Sequence, residues 1–180
     1  MGKLSPVTPV KLFIGVLTSS SDLLPDIRQE LQISFGSIEA QSTVWDFTYT
    51  DYYADEMGTN LQRTFFSFSD LFAPYELAQI KRQTNELEQF LADRHATQTT
   101  QRPVNLDPGY LEASKLVLAS TKNFSHRICI GDGIYAELTL QYRKGVFTPL
   151  PWSYPDYQSE QYQDFFSQVR VRYLEQLRGD

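Results

Sequence analysis

Apolar and polar positions alternate with changing period along the chain, and the period marks out the elements. Val10 to Leu17 is nearly all apolar, which suits a strand covered on both faces. "SSSDLLPDIRQELQISFG" then offers caps at its serines and Asp22, and Pro25 for a first turn. Ile27, Leu31 and Phe35 share one helical face, and Gly36 is the stop. "SIEAQSTVWDFTYTDYY" alternates with Trp45, Phe47 and Tyr49 on one side of a strand, and "LQRTFFSFSD" with Phe66 and Phe68 on one face of another. Between them "DYYADEMGTN" reads as an acidic turn. Pro74 opens a helix whose stripe is Leu77, Ile80, Thr84, Leu87 and Leu91. "TQTTQRP" (97–103) reads as a polar loop, "LVLAS" as a short buried strand, and Ile128–Ile130 and Ile134–Tyr142 as a hairpin. The proline-rich "TPLPWSYPDY" cannot be regular helix. The last helix, from Tyr157 to Leu177, presents Tyr162, Phe165, Phe166, Val169 and Tyr173 for burial.

Strand, helix, strand, strand, helix, strand is the ferredoxin-like order. The expected fold is α/β: a ferredoxin-like antiparallel sheet with two packed helices, an extra C-terminal β-hairpin and a C-terminal helix. A single domain over 1–180 is expected, with 1–9 as a flexible N-terminal tail.

Two turns compete in "ICIGDGIYAEL". A two-residue Asp132–Gly133 turn would put Ile130 opposite Tyr135. A three-residue Gly131–Gly133 loop would put Ile130 opposite Ile134 and keep the apolar residues on one face. The second is the expectation. It sets Arg127 across from Glu137, Cys129 across from Tyr135 and Ser125 near Thr139, and it turns His126 to the other face, towards Leu138.

Composition narrows the function. The chain carries a net charge of −6, against the basic balance usual for a nucleic-acid binder. Cys129 is the single cysteine, so neither an internal disulfide nor a cysteine-rich zinc site can form. A small buried strand residue is expected there. The N-terminal apolar run is too short for a membrane span and lacks the regions of a signal peptide, and Pro6 departs from the myristoylation pattern that Gly2 begins. A cytoplasmic location with no membrane partner is therefore expected.

Several clusters could carry chemistry. "NLDPGYLEASK" reads as a turn around Pro108–Gly109, or as a place where Asp107 and Tyr110 flank a cleft. Asp51, Asp55 and Glu56 in "DYYADEMG" are candidate metal ligands or acid–base groups, or simply a solvated turn. Trp152, Tyr154, Asp156 and Tyr157 either stack on a ligand or pin the last helix. His95 lies at a helix end, where a protonated ring suits the dipole. No P-loop, His-Glu-x-x-His or Gly-x-Ser-x-Gly motif is present.

"WDFTYTDYYADEMG", "RTFFSFSDLF", "IKRQTNELE", "NLDPGYLEASKLVLASTKNFSHRI", "GIYAELTL" and "YPDY" together resemble the bacterial and archaeal family called domain of unknown function 4416, over roughly Val10 to Tyr157. The resemblance implies a single domain and transfers no catalytic assignment. The GTP-binding label attached to some such proteins would need a route other than a P-loop here.

The leading functional expectation is binding of a small anionic, phosphate-bearing ligand such as a nucleotide. Lys115, Lys122 and Arg127 would supply charge-assisted bonds and Tyr110, Tyr135 and Tyr154 the walls. Glu137 would orient Arg127, and Asp107 would stand at the entry. The alternatives are a metal-dependent phosphoester hydrolase using Asp51, Asp55, Glu56 and Glu137, and an RNA-binding or protein-interaction module on the sheet face. Cofactor, metal, catalytic residues and oligomeric state are left open by the sequence.

Overall fold

A computed structural model describes residues 2–97 and 100–179. Among them, nine strands form one antiparallel sheet and four helices pack on it. The strands are β1 (Val10–Thr18), β2 (Ile38–Gln41), β3 (Trp45–Asp46), β4 (Gln62–Phe72), β5 (Val104–Leu111), β6 (Lys115–Ser120), β7 (Arg127–Gly131), β8 (Ile134–Arg143) and β9 (Val146–Pro149). The helices are α1 (Leu24–Phe35), α2 (Ala54–Met57), α3 (Leu77–His95) and α4 (Glu160–Arg178). The strand order is β2-β4-β1-β5-β6-β8-β7, with β3 added on β4 and β9 on β8. Residues 2–9 are exposed and belong to no element, although the Pro9 carbonyl accepts a hydrogen bond from the Tyr173 hydroxyl at 2.9 Å. Gln98 and Thr99 of the expected polar loop, Met1 of the tail and the terminal Asp180 lie outside the described residues.

β1 is covered on both faces, as its unbroken apolar run predicts. Leu12, Ile14 and Val16 meet Ile27 and Leu31 of α1 and Ile80, Leu87 and Leu91 of α3. Phe13 faces the other way, into Phe65 and the Tyr162, Phe165, Phe166, Val169 and Tyr173 face of α4. Each large side chain buried along α4 contributes about 1.5–3 kcal/mol.

The structure differs from the expected elements in four places. The sheet is larger than a four-stranded unit plus a hairpin. "VNLDPGYL" is strand β5, not a turn. It pairs with β1 from Lys11↔Leu111 to Thr18↔Val104, but with β6 only at Gly109↔Leu118, Tyr110↔Val117 and Leu111↔Leu116. Pro108 is tolerated because it precedes that short β6 ladder and falls in the alternate set that faces away from β1, so its missing N–H costs no ladder bond. "SIEAQSTVWDFTYTDYY" breaks into β2 and a two-residue β3, and the acidic turn contains the one-turn helix α2.

The hairpin settles between the two turn readings. Arg127↔Glu137, Ile128↔Ala136 and Cys129↔Tyr135 pair as expected. Ile130 is then bulged, and Gly131, not Ile130, pairs with Ile134. Asp132 and Gly133, at φ 53° and 73°, form the turn. Cys129 is exposed, not buried, because β7 ends the strand order and no further strand among the described residues pairs with that edge.

Candidate functional site

Past Gly109 and Leu118 the paired strands β5 and β6 part, and the sheet forks. A cleft of about 670 Å³ opens there. Asn105 and Asp107 of β5 line one bank; Leu118 to Ser120 of β6, with Thr121 and Lys122, line the other. The segment from Phe47 to Glu56 forms a roof of aromatic rings, and Tyr154 to Tyr157 closes the end before α4. Glu137 of β8 and Lys81 of α3 complete the lining.

The fork leaves one edge of β5 without a strand partner, and α3 supplies the substitute. Lys81 Nζ donates to the Leu106 carbonyl at 2.8 Å, and the Leu106 N–H donates to Glu88 Oε1 at 2.8 Å. Lys81, 6 % exposed, belongs to the buried stripe of α3, and Glu88 stands beside it, partly buried. Backbone groups that would otherwise be orphaned are thus satisfied. Burial pushes the Glu88 carboxyl upward, against the pull of Lys81 and Arg102.

The floor is organised around Arg63, which is 3 % exposed. It projects from β4 across β1 to β5. Its Nη1 donates to Asp107 Oδ2 at 3.0 Å, and its Nη2 lies 3.9 Å from Asp156 Oδ2. The crossing is open because β1 carries glycine at position 15, opposite Phe65 and Asp107. Burial works against the charge of Arg63, but Asp107 and Asp156 more than compensate and hold its pKa above the ordinary value. The two carboxyls are driven apart. Burial would raise Asp107, yet Arg63 and Lys81 overcome it and hold it below the usual range; burial raises Asp156, and Asp107 adds to that.

The network continues outward. Asn105 Nδ2 donates to Asp107 Oδ2 at 2.8 Å, and Arg102 bonds the Asn105 side-chain oxygen, Glu88 Oε2 at 2.8 Å and Glu56 Oε2 at 3.4 Å. Two buried polar atoms of the lining residues have no hydrogen-bond partner among the described residues: Arg63 Nε and the Tyr157 hydroxyl.

The rim is different. Arg127 Nε donates to Glu137 Oε2 at 2.8 Å, Nη1 to the Lys122 carbonyl at 3.0 Å and Ser120 Oγ at 3.3 Å, and Nη2 to the Tyr154 hydroxyl at 2.5 Å. Four of its five N–H groups are thereby engaged within the protein. Lys122 Nζ donates to the Tyr52 hydroxyl at 2.6 Å and lies 4.0 Å from the centre of that ring. Among the lining cations, Lys122 has no carboxylate partner among the described residues, whereas Lys81 has one and Arg63 and Arg102 have two each.

Of the residues singled out from the sequence, Asp107, Lys122, Glu137 and Tyr154 line the cleft, and Arg127 braces the last three. Three others are not brought there. Lys115 begins β6, about 17 Å of strand from the Ser120 end, and pairs with Glu112 at 2.5 Å. Tyr110 is out of phase with Asp107 along β5 and packs against Phe72 on the α3 side. Tyr135 shares the face of Glu137 but lies nearer the hairpin turn, outside the lining.

His126 turns toward Glu137, not away from it. Its Nε2 lies 3.0 Å from Glu137 Oε2, and its ring stacks on Trp152 at 5.2 Å and 10°. It precedes the first residue of β7, so strand alternation does not govern it. His95 likewise has a partner, Asp26 Oδ2 at 2.5 Å. Asp51, Asp55, Glu56 and Glu137 do not converge: among the described residues no three His, Cys, Asp or Glu side chains gather closely enough to hold a metal ion. Only Glu56 and Glu137 of that set reach the cleft. "WSYPDY" divides its labour. Tyr157 packs on Phe65, Tyr162 and Phe166, pinning α4, while Tyr154 faces the cleft.

Arg63, Lys81 and Arg102 were missed by the sequence reading. A signal existed for two of them. Arg63 alternates with Phe65 on a strand face that ought to be apolar, and Lys81 falls four residues after Leu77 on the helical stripe. Arg102 carries no such periodic signal.

No helix among the described residues is long and apolar enough to cross a membrane. No curated protein and no solved structure matches the chain. A family model described as a domain of unknown function, DUF4416, matches residues 8–173. With nearly its whole length matched and its fork-shaped cleft inside the matched span, the chain belongs to the DUF4416 family.

Proposed function

We propose that the cleft binds a small phosphate-bearing ligand such as a nucleotide, with the phosphate at the rim and the rest of the molecule under the aromatic roof. One observation carries this reading. Lys122, at the mouth, is a lining cation without a carboxylate partner among the described residues, while the deeper cations are neutralised in place. A phosphate there replaces the Tyr52 hydroxyl with a charge-assisted bond. Tyr52, Tyr53 and Tyr154 offer ring surface for a planar group, and the volume is within the range of small-molecule sites. Arg127 acts through its neighbours, fixing the Tyr154 ring and the Lys122 backbone.

In this reading the α1, α3 and β5-β1-β4-β2 part of the molecule is a ferredoxin-like unit, and the additional strands build the second bank of the fork. The single exposed thiol of Cys129 suits a reducing compartment such as the cytoplasm.

Calorimetric titration with adenosine and uridine 5′-monophosphates tests the assignment. Lys122→Ala is expected to weaken binding at least tenfold, and Arg127→Ala to abolish it while leaving a cooperative unfolding transition. Unchanged affinity in Lys122→Ala removes the phosphate from the rim.

A further inference from the structure

Resting on that placement of the phosphate at the rim, we infer that the ligand spans the fork and donates a neutral O–H or N–H to the Asp107 carboxylate on the facing bank. The two banks are chemically unlike. Lys122 follows β6 and offers a cation; Asp107 belongs to β5 and offers an anion, and both line the cleft.

Asp107 divides the work between its two oxygens. Oδ2 accepts from Arg63 Nη1 at 3.0 Å and from Asn105 Nδ2 at 2.8 Å. Oδ1 has no hydrogen-bond partner among the described residues, and it is not one of the buried atoms left without a partner. The Asp107 side chain is 27 % exposed, against 4 % for Arg63. The free oxygen therefore opens on the cleft, while the guanidinium that holds its twin stays beneath. The aromatic roof is near: burial raises the Tyr53 and Tyr154 hydroxyls, and the charge of Asp107 is among those that add to the rise of each.

The surroundings set the class of group that Oδ1 takes. A carboxylate only accepts, so it calls for a donor. Arg63 and Lys81 already act on Asp107 against the effect of burial and keep it ionised; an ammonium would join positive charge that is in place. A phosphate would be repelled, which turns that end of the ligand toward Lys122. A neutral O–H or N–H gains a charge-assisted bond without adding charge. A sugar hydroxyl and the exocyclic amine of a nucleobase both have this chemistry. The two ends of the ligand are thus read by different residues, Lys122 for the phosphate and Asp107 for the donor.

The probes are phosphates that differ in their donors: adenosine 5′-monophosphate, its 2′,3′-dideoxy analogue, purine riboside 5′-monophosphate, which lacks the amine, and phenyl phosphate, which has no donor beyond the phosphate. Each is titrated into wild type, Lys122→Ala and Asp107→Asn. Wild type is expected to bind adenosine 5′-monophosphate about tenfold more tightly than phenyl phosphate and than at least one of the two analogues, the contribution of a hydrogen bond to a charged group. Loss in the dideoxy analogue identifies the donor as a sugar hydroxyl; loss in the purine riboside identifies it as the amine. Lys122→Ala should weaken every probe. In Asp107→Asn the amide oxygen stays with Arg63 Nη1 and Asn105 Nδ2, both donors, so an amide N–H faces the cleft where the acceptor stood. That variant is expected to bring adenosine 5′-monophosphate down to the affinity of the weaker analogue; should it prove too unstable to titrate, the wild-type series decides by itself. Equal affinity of wild type for adenosine 5′-monophosphate and both analogues, with loss in Lys122→Ala, overturns the role of Asp107 and leaves the rim intact. Phenyl phosphate binding as tightly as adenosine 5′-monophosphate overturns it too. Wild-type affinity in Lys122→Ala with the donor preference kept removes the phosphate from the rim and keeps the donor at Asp107. Binding of none of the probes to wild type overturns both.

Discussion

A Cβ built on Gly15 would stand 3.0 Å from Arg63 Nη1 and 2.9 Å from the Phe65 ring. The central strand is therefore pared down to backbone at the point where the guanidinium crosses it to reach Asp107. Gly15→Ala is expected to destabilise the protein by about 1–3 kcal/mol, as overpacking does, even though alanine suits a strand better than glycine. Urea unfolding of the variant checks this. Stability equal to wild type would mean that the arginine can cross elsewhere.

The opposed shifts of Asp107 and Asp156 predict opposite responses to pH. Asp107 is held below its ordinary value of 3.8, so its contribution is present above about pH 4 and lost as the pH falls below that. Asp107→Asn should cost about 3 kcal/mol at pH 7, by leaving Arg63 short of its nearest carboxylate, and the deficit should shrink in acid. Asp156 is raised above 3.8, so folding favours its protonated form. The stability this brings is fully present below about pH 4 and fades as the pH rises through the raised value. Asp156→Asn should thus fare better relative to wild type at pH 7 than at pH 4. Urea midpoints across pH 3.5–7.5 read both slopes, and parallel curves for the two variants would contradict the assignment.

Glu137, 1 % exposed, accepts from Arg127 and faces His126 through the same oxygen. Because a carboxylate only accepts, that contact calls for an Nε2–H on His126. Glu137→Gln leaves Arg127 with no acidic partner and is expected to cost about 3 kcal/mol. It also frees the His126–Trp152 stack. Chemical unfolding measures the first, and a changed tryptophan emission in the folded state reports the second. An unaltered spectrum would show that the stack holds itself.

Gly109 marks the fork. A Cβ there would lie 2.4 Å from the Phe13 ring and 2.5 Å from the Val117 carbonyl oxygen. Backbone cannot yield as a side chain can, so Gly109→Ala should be more damaging than Gly15→Ala. The comparison of the two unfolding midpoints is the test, and the reverse order would sink it.

Much of this architecture is written locally. The apolar run of β1, the stripe of α3 and the aromatic face of α4 each follow from a period within one segment. The Arg127–Glu137 pair was legible for the same reason, since a hairpin brings near neighbours together. The floor was not. Arg63 and Asp107 lie on strands that do not pair with each other, 44 residues apart, and meet only because β1 separates them. Alternation gives a residue's face but not its strand's neighbours, which is also why Cys129 was expected inside and Tyr110 at the site. Pro108 and Gly109 misled for a different reason. They are turn formers by local preference, and here a fork removes the need for an N–H while close packing requires the glycine.

The α3 brace on Leu106 has a further consequence, one of timing. An amide in the middle of a strand ordinarily exchanges its proton only when the ladder opens. The Leu106 amide is held by the carboxylate of Glu88 instead, in a helix. Its exchange clock is therefore set by the helix–strand seam. A single backbone proton thus reports how often α3 lifts from the fork, independently of the sheet around it.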